Sequence, residues 1–576
     1  MEKLLWINKK SLLVLTVIMV LLFVSACSGN KDAQDPPAKE TDTKSPAVTD
    51  PSKPADPFGK HSPTIEVSTV RYTDASFKFT DGESLDKNIW TAIFEEELGI
   101  KVNNTWVVDK SQYHQKLNVA MAASDLPDFF EVDKTEMQRL IDAEQIMDLT
   151  EIYTQYASPF MKKTLESDGG AALKAATVNG KLMAIPITRS NGGVSSADMI
   201  WVRMDWLNQL KLPEPKTMDD VIQIAQAFSK EDFDGNGKAD TIGLGIAKEF
   251  ASNDIVPSIG SVNGFLNGYH AYNDIWLDDG SGNLIYSSIQ PEMRVALQKL
   301  QDLYKEGVLD KELAVKAWSK VNEDTAAGRL GLVYGNVAVA TANGGPKDNR
   351  KNDPKAQWQA YPIVSSDDKP ALAQSPETAT NFYVIKKAVN NPEAPFQLLN
   401  LYLKKFLDTK YTSGSDNPFA INTKTQAFPA VYAPLQIESV TSNLNAFRLV
   451  KDALSNNDGS QLGFPASLHF ERNMKFREGD DSMWFSDRTF GPEGSFSIVD
   501  KYYNDKQYIY TKFTGAPTST MVDKGPTLHK IQSELFTKII MDAASIEQFD
   551  KFVGEWKTLG GDAITKEVNE WYKNNK

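Results

Sequence analysis

Residues 65–132 read IEVSTVRYTDASFKFTDGESLDKNIWTAIFEEELGIKVNNTWVVDKSQYHQKLNVAMAASDLPDFFEV, and the reading of this stretch decides the fold class. Ile65-Glu66-Val67-Ser68-Thr69-Val70 alternates with period two, the mark of a half-buried strand. From Asp86 to Leu98 apolar residues recur at Ile89, Trp90, Ile93, Phe94 and Leu98, which predicts a helix, and Gly99 closes it. Ile100 to Val108 reads as a strand, Gln112 to Ala123 as a helix with Tyr113, Leu117, Ala120 and Met121 inward, and Phe129 to Val132 as a third strand. Strands alternating with helices imply an α/β fold, with a parallel sheet covered by helices on both faces.

Downstream the style continues with predicted helices over Trp201 to Leu210, Met218 to Ser229 and Pro291 to Glu306. Near the carboxyl end Leu528, Ile531, Leu535 and Ile539 mark one helix, and a second from Ile546 to Leu559 is closed by Gly560-Gly561. No solenoid repeat is present in the sequence. Single cores stop growing near roughly 250–300 residues, so a chain of 576 residues predicts two lobes.

Upstream, Lys3, Lys9 and Lys10 precede an apolar run from Ser11 to Val24 that stops at Val24-Ser25-Ala26-Cys27. The order of basic head, short apolar body and small residues is a secretory signal. The run falls short of the roughly 20 apolar residues a membrane span needs. The last four residues match the bacterial lipobox, in which the cysteine is acylated and the peptide is cut before it. Residues 1–26 are therefore read as a signal peptide and Cys27 as the lipid anchor. Cys27 is the only cysteine, so the fold is expected to hold together without a disulfide. Residues 27–63, rich in Pro, Asp, Lys, Thr and Ser, read as a lipidated disordered tether. The folded part is expected at the outer face of the cell membrane, held there by lipid.

The net charge of −14, from 62 Lys+Arg against 76 Asp+Glu, argues against nucleic acid as a partner. No second apolar run is long enough to cross a membrane, so any transport step falls to other subunits. Enzyme signatures are scarce. The five histidines form no His-Glu-x-x-His helix, and neither a Gly-x-Ser-x-Gly elbow nor a phosphate loop occurs. A glycosidase needs only two carboxylates about 5–10 Å apart, which 76 acids leave open. No catalytic residue is assigned.

Asp232, Asp234, Asn236 and Asp240 stand at positions 1, 3, 5 and 9 of a loop with Gly237 at position 6 and the Lys238 carbonyl at 7. That is the head of a calcium loop of EF-hand type. Its position 12 is Gly243, so the terminal bidentate acid is missing. The alternative is an acidic, Asn-Gly-rich turn.

Two α/β lobes behind a secretion signal predict a ligand clamp, with ligand outside the carboxyl ends of strands and between lobes. The chain resembles the solute-binding lipoproteins of bacterial carbohydrate importers of the ATP-binding-cassette type, in the branch of maltodextrin- and alginate-oligosaccharide-binding proteins. The resemblance rests on Ser124-Asp125-Leu126-Pro127-Asp128, Trp201-Val202-Arg203-Met204-Asp205-Trp206-Leu207, the loop Phe233 to Gly243 and Phe490-Gly491-Pro492-Glu493-Gly494-Ser495. The closing stretch from Phe549 through Trp556 and Leu559-Gly560-Gly561-Asp562 to Tyr572 extends it to nearly the whole chain.

The family implies a two-lobed periplasmic-binding-protein-like fold of type II, with discontinuous lobes joined by a hinge of two or three crossing strands. On that basis residues 64–190 plus approximately 331–380 are expected in the first lobe, and 191–330 plus approximately 381–576 in the second, largely helical one. It implies a monomer that captures an oligosaccharide and delivers it to permease subunits driven by a separate ATPase. Family relatives also imply an acid at loop position 10, where this chain has Thr241; calcium here would be structural.

Sugars offer an apolar face and a rim of hydroxyls, so their sites pair flat aromatics with Asp, Asn, Glu and Arg. Trp276 and Trp484, in polar loop sequence, are the expected platforms, and Tyr72 and Asp74 follow the first strand where a ligand would touch. Arg203 and Arg488 are further candidates, and a uronic-acid ligand would draw on Arg71, Arg189, Arg203 or Arg488. The rival reading is a surface-anchored glycan hydrolase; an adhesive lipoprotein fits two α/β lobes poorly.

Overall fold

Residues 55–575 are described by the computed structural model, apart from 75–76, 81, 191, 240, 249–257, 408–416 and 422–427. The signal segment, Cys27, the tether up to residue 54 and Asp240 lie outside the described residues.

Strand Ile65–Thr73 pairs in parallel with Ile100–Asp109, Ile65 opposite Ile100 and Val67 opposite Val102. Between them Asn88 caps helix Ile89–Ile93 with a reciprocal capping box, and a wider turn Phe94–Leu98 ends at Gly99 with φ +62°. Glycine is required there, because a Cβ would sit 2.3 Å from the His61 carbonyl oxygen. The register shifts between Thr69 and Val70. Such a bulge bends the strand and re-aims the side chains just beyond it, here Arg71 and Tyr72. Ser68 N donates to Asp128 Oδ2 at 2.7 Å, which ties this ribbon to the loop before strand Phe129–Asp133.

The expectation of one parallel sheet is corrected. Asn381–Ile385 runs antiparallel to both Phe129–Asp133 and Ile185–Pro186. In the other lobe Met199–Arg203 is flanked antiparallel by Leu332–Gly335 and Trp358–Tyr361. Asn381–Ile385 enters its lobe only after the chain has passed through the other one, so no local helical crossover forces it parallel to Phe129–Asp133. The helix predicted over Trp201 to Leu210 is likewise strand up to Arg203 and helix only over Met204–Gln209. Trp201 and Val202 suit a central strand buried on both faces.

Two hydrophobic cores define the lobes. The smaller gathers Val67 to Ile187 and Ala379 to Ile437. The larger gathers Val194 to Ala373 and Leu444 to Val568. The predicted boundaries are corrected accordingly: nearly all of 331–380 belongs with the larger core, and 381–437 with the smaller. The reason is sheet pairing, since Leu332–Gly335 and Trp358–Tyr361 complete the sheet of Met199–Arg203. The chain thus crosses between lobes three times, near residues 187–194, 373–379 and 437–444.

The tether is shorter than its composition predicts. Gln397 Nε2 on helix Ala394–Phe406 donates to the carbonyls of Asp56 and Gly59, and Asn400 Nδ2 to that of Pro57. Residues 56–63 are thereby held against the smaller lobe by buried amides that compositional reading cannot see.

Candidate functional site

A cavity of about 610 Å³ opens at the carboxyl end of strand Ile65–Thr73. The smaller lobe supplies Tyr72, Asp74, Glu131 and Tyr383 to its wall, and two crossing segments supply Arg189 and Glu438. Its volume is in the range of small-molecule sites, roughly 300–1,000 Å³.

Three main-chain carbonyls hold the Arg71 guanidinium. Nη1 donates to Tyr432 O at 2.7 Å, and Nη2 to Val431 O and Ala433 O at 3.1 and 2.9 Å. Burial pushes the Arg71 pKa down to about 10, which still leaves it charged at neutral pH. Arg71 therefore anchors the loop Val431–Ala433 that forms one wall. Arg189 donates through Nη1 to Gln436 Oε1 at 2.7 Å, and its other nitrogens take no protein acceptor among the described residues. Burial works against its charge, but Tyr383 and Glu438 carry the net pKa shift upward.

Glu131 accepts Asn381 Nδ2 on one carboxylate oxygen at 2.6 Å. Glu438 accepts Ser190 Oγ and, at 3.3 Å, Ser190 N on one of its own. Tyr72 packs edge-on against Tyr113, whose hydroxyl donates to Glu131 O at 3.0 Å. Burial raises the phenol pKa of Tyr72 and of Tyr383, so both remain hydroxyl donors at neutral pH. Phe428 stands at the rim, 53% exposed, an aromatic face with little packed against it. The cavity can accept and donate many hydrogen bonds beside flat apolar surfaces.

Of the residues singled out from sequence, the structure brings together Tyr72 and Asp74, with Arg71 and Arg189. The expectation for the others does not fit their surroundings. Trp276 is buried in the larger core with its ring 5.3 Å from Tyr286. Trp484 is buried on helix Trp484–Phe490 beneath Arg350. Arg203, 2% exposed, meets Asp205 at 2.6 and 2.9 Å and Asn349 Oδ1 at 3.0 Å, with its guanidinium 4.5 Å from the Trp206 ring. Arg488 binds Gln359 and lies 3.1 Å from Asp487. The helices and strands that carry Trp276, Trp484 and Arg203 turn these side chains into the core, and Arg488 is held at its edge by Gln359 and Asp487. Sequence reasoning missed Glu131, Tyr383, Glu438 and Phe428. Glu131 carried a signal, an acid inside the apolar strand Phe129-Phe130-Glu131-Val132.

A second cavity of about 500 Å³ lies where the crossings meet both lobes, lined by Asp168, Thr378, Val440, Tyr510 and a run of alanines. Its charged lining residues, Asp168, Lys174, Glu377 and Lys512, carry the two signs in equal number. Beside it Lys134 pairs with Glu377 and donates to Thr514 O at 3.2 Å, joining the smaller lobe to the larger.

In the 232–240 loop, Asp232 accepts the amides of Asn236 and Gly237 at 3.0 and 2.8 Å, and Asp234 accepts that of Asn236 at 3.2 Å. Gly235 and Gly237 take φ of +71° and +85°. The two carboxylates thus converge inside a tight, exposed turn of oxygen ligands, a donor set that suits a hard cation. Thr241, buried, accepts the Phe233 amide at 3.3 Å and so closes the loop. His114, Asp133 and Glu136 also bring ligand atoms within 4.8 Å of one another. Asp133 and Glu136 are already engaged as the reciprocal cap of helix Lys134–Asp142.

The chain is similar to lipoprotein LipO of Bacillus subtilis, 24% identical over 498 residues that cover 85% of this chain and 90% of that one. Among solved structures it resembles the Streptococcus pneumoniae ABC-transporter substrate-binding protein FusA in complex with kestose, with a TM-score of 0.55, 16% identity, and 89% and 100% of the two chains covered. It also resembles the alginate-binding protein AlgQ2, with a TM-score of 0.55, 15% identity, and 90% and 99% covered. These likenesses show the two-lobed fold. The family model for bacterial extracellular solute-binding proteins matches residues 77–413, more than half of the sequence. With two lobes, three crossings and a polar cavity beside them, the chain belongs to the bacterial extracellular solute-binding proteins.

Proposed function

We propose that this protein is the lipid-anchored receptor of a carbohydrate importer. It captures an oligosaccharide at the outer face of the membrane and passes it to permease subunits powered by a separate ATPase. The observation that carries the reading is the 610 Å³ cavity, where aromatic walls, two arginines and three carboxylates meet at the crossings between lobes. Such walls match the alternating apolar and hydroxyl faces of a sugar. Tyr72, Asp74, Glu131, Arg189 and Tyr383 would hold the ligand, and Phe428 would stack on it. Contacts from both lobes would favour a closed state that the permease recognises. The protein would act as a monomer.

Relatives support the reading: LipO is a lipoprotein, FusA is described with kestose, and AlgQ2 as alginate-binding. Cys27 would carry the acyl chains. The loop of Asp232, Asp234, Asn236, the Lys238 carbonyl and Asp240 would hold one structural calcium ion. AlgQ2 is described in a form without calcium ion, and one FusA structure is described as an EF-hand mutant, which support the proposal for this loop.

Isothermal titration against a glycan panel, followed by product analysis, tests the function. Saturable one-to-one binding with intact glycan recovered supports the receptor. Glycan cleavage would instead support the surface hydrolase.

A further inference from the structure

The cavity wall has a charge asymmetry that bears on which sugar it accepts. Arg71, Arg189, Asp74, Glu131 and Glu438 line one space. Among the described residues no salt bridge joins either arginine to Glu131 or Glu438. Their charges are instead spent differently. Arg71 is bound to three carbonyls and fixes a wall. Glu131 and Glu438 each give one oxygen to a neutral donor, Asn381 and Ser190, and each keeps its second oxygen without a donor among the described residues. Of five N–H groups each, Arg71 donates three and Arg189 one among the described residues, so Arg189 has more to offer a ligand, and it stands in the fields of Glu438 and Glu131.

A uronate bound here would add a negative charge beside carboxylates, with one guanidinium already balanced by them. Like charges gathered in a partly desolvated site repel strongly, and a buried charge without its own partner is costly. A neutral sugar offers hydroxyl protons, which suit open carboxylate oxygens through short charge-assisted hydrogen bonds. Arg189 is then free to donate to a ring or hydroxyl oxygen.

Resting on the receptor reading above, we infer that the cavity selects a neutral glycan unit, with Glu131 and Glu438 as the specificity-determining residues that turn uronates away. A site built to accept hydroxyl protons discriminates through the groups it leaves unpaired when the wrong ligand enters.

The test uses the full mature chain and matched pairs of probes: galactotetraose with tetragalacturonate, mannotetraose with tetramannuronate, and xylotetraose with its glucuronate-substituted form. In whichever pair binds, the neutral member is expected to bind at least about tenfold more tightly. Glu131→Gln with Glu438→Gln removes both charges at constant shape and should shrink that ratio about tenfold or more, with a wild-type melting temperature. A wild-type preference for the uronate member overturns the inference and leaves the receptor reading standing, and this comparison needs no variant to fold. An unchanged ratio in a folded double variant overturns the assignment to Glu131 and Glu438. If no member of any pair binds, the receptor reading itself falls, and the inference with it.

Discussion

Ser375 Oγ donates to the carbonyl of Gly193 at 2.7 Å, tying the second crossing between the lobes to the first. Gly193 has φ +52°, and a Cβ placed on it would lie 3.2 Å from Thr378 Cγ2 and 3.7 Å from Val440 Cβ. All three crossings therefore touch at one glycine. Neighbouring hydrogen bonds extend the contact, with Glu438 N donating to Thr188 O at 2.9 Å and Ser195 Oγ to Ser190 O at 2.9 Å. A hinge of this kind turns on a few positions that absorb the backbone change.

Gly193→Ala should destabilise the protein by about 1–2 kcal/mol, because a non-glycine residue in the left-handed region costs that much and the new methyl crowds Thr378. Urea denaturation checks this, and small-angle scattering with and without ligand should show a smaller change in dimensions than wild type. Unaltered stability and closure would show that the crossings do not pivot here.

Arg189→Gln should weaken oligosaccharide binding by about tenfold or more while shifting the melting temperature little. The side chain presents open donors to the cavity and, among the described residues, donates only to Gln436. Titration calorimetry on the variant decides it; wild-type affinity would place the ligand elsewhere.

Trp276→Ala and Trp484→Ala should each cost about 3–5 kcal/mol of stability, the usual loss for emptying a large core site. Affinity in the fraction that stays folded should remain at the wild-type value, since both rings are buried in the larger core. Loss of affinity without loss of stability would restore them as binding platforms.

His469 predicts part of the acid response. Its ring stacks on Phe490 at 3.4 Å, and burial pushes its pKa down to about 3. Between about pH 6.5 and pH 3 the unfolded chain binds a proton here that the native state does not, so stability falls as pH is lowered through that window. Asp198 works in the opposite sense. Burial raises it to about 6, so the native state holds the extra proton and stability falls as pH rises from about 4 to 6. His469→Gln should therefore lose less stability than wild type between pH 6.5 and pH 4. Equal losses by chemical denaturation at the two pH values would show that His469 does not contribute.

Saturating calcium should raise the melting temperature and a chelator should lower it, because the ion would bind only the folded loop. Magnesium should do much less, as it demands a tighter octahedron. Asp232→Ala with Asp234→Ala should abolish the calcium response and spare sugar affinity. No response in wild type, with no metal found by elemental analysis, would reduce the loop to a turn.

How much is legible in the sequence depends on range. Strand Ile65–Thr73, helix Tyr113–Ala122 and strand Phe129–Asp133 follow from local periodicity, because the side chains that drive each element are its own. Gly99 and Gly560, with φ +62° and +138°, end or break helices where the sequence places them. The platforms expected at Trp276 and Trp484 fail for the same reason in reverse. Polar neighbours in sequence say nothing about which neighbours arrive in space, and Thr511 reaches Trp276, and Arg350 reaches Trp484, from far along the chain.

What the sequence by itself determined was the α/β class, the need for two cores, the oxygen pattern of Asp232 to Asp240 and the family resemblance. Each is set by composition or by spacing within a few residues. Tertiary structure alone decided which lobe owns Leu332–Gly335 and Asn381–Ile385, where the chain crosses, and which charges share a cavity. Arg71 meets the carbonyls of Val431 to Ala433 some 360 residues away, and Glu131 meets Asn381 some 250 away. Such pairings are selected by the packing of whole sheets and by the desolvation of the charges they enclose, neither of which leaves a local periodicity in the chain.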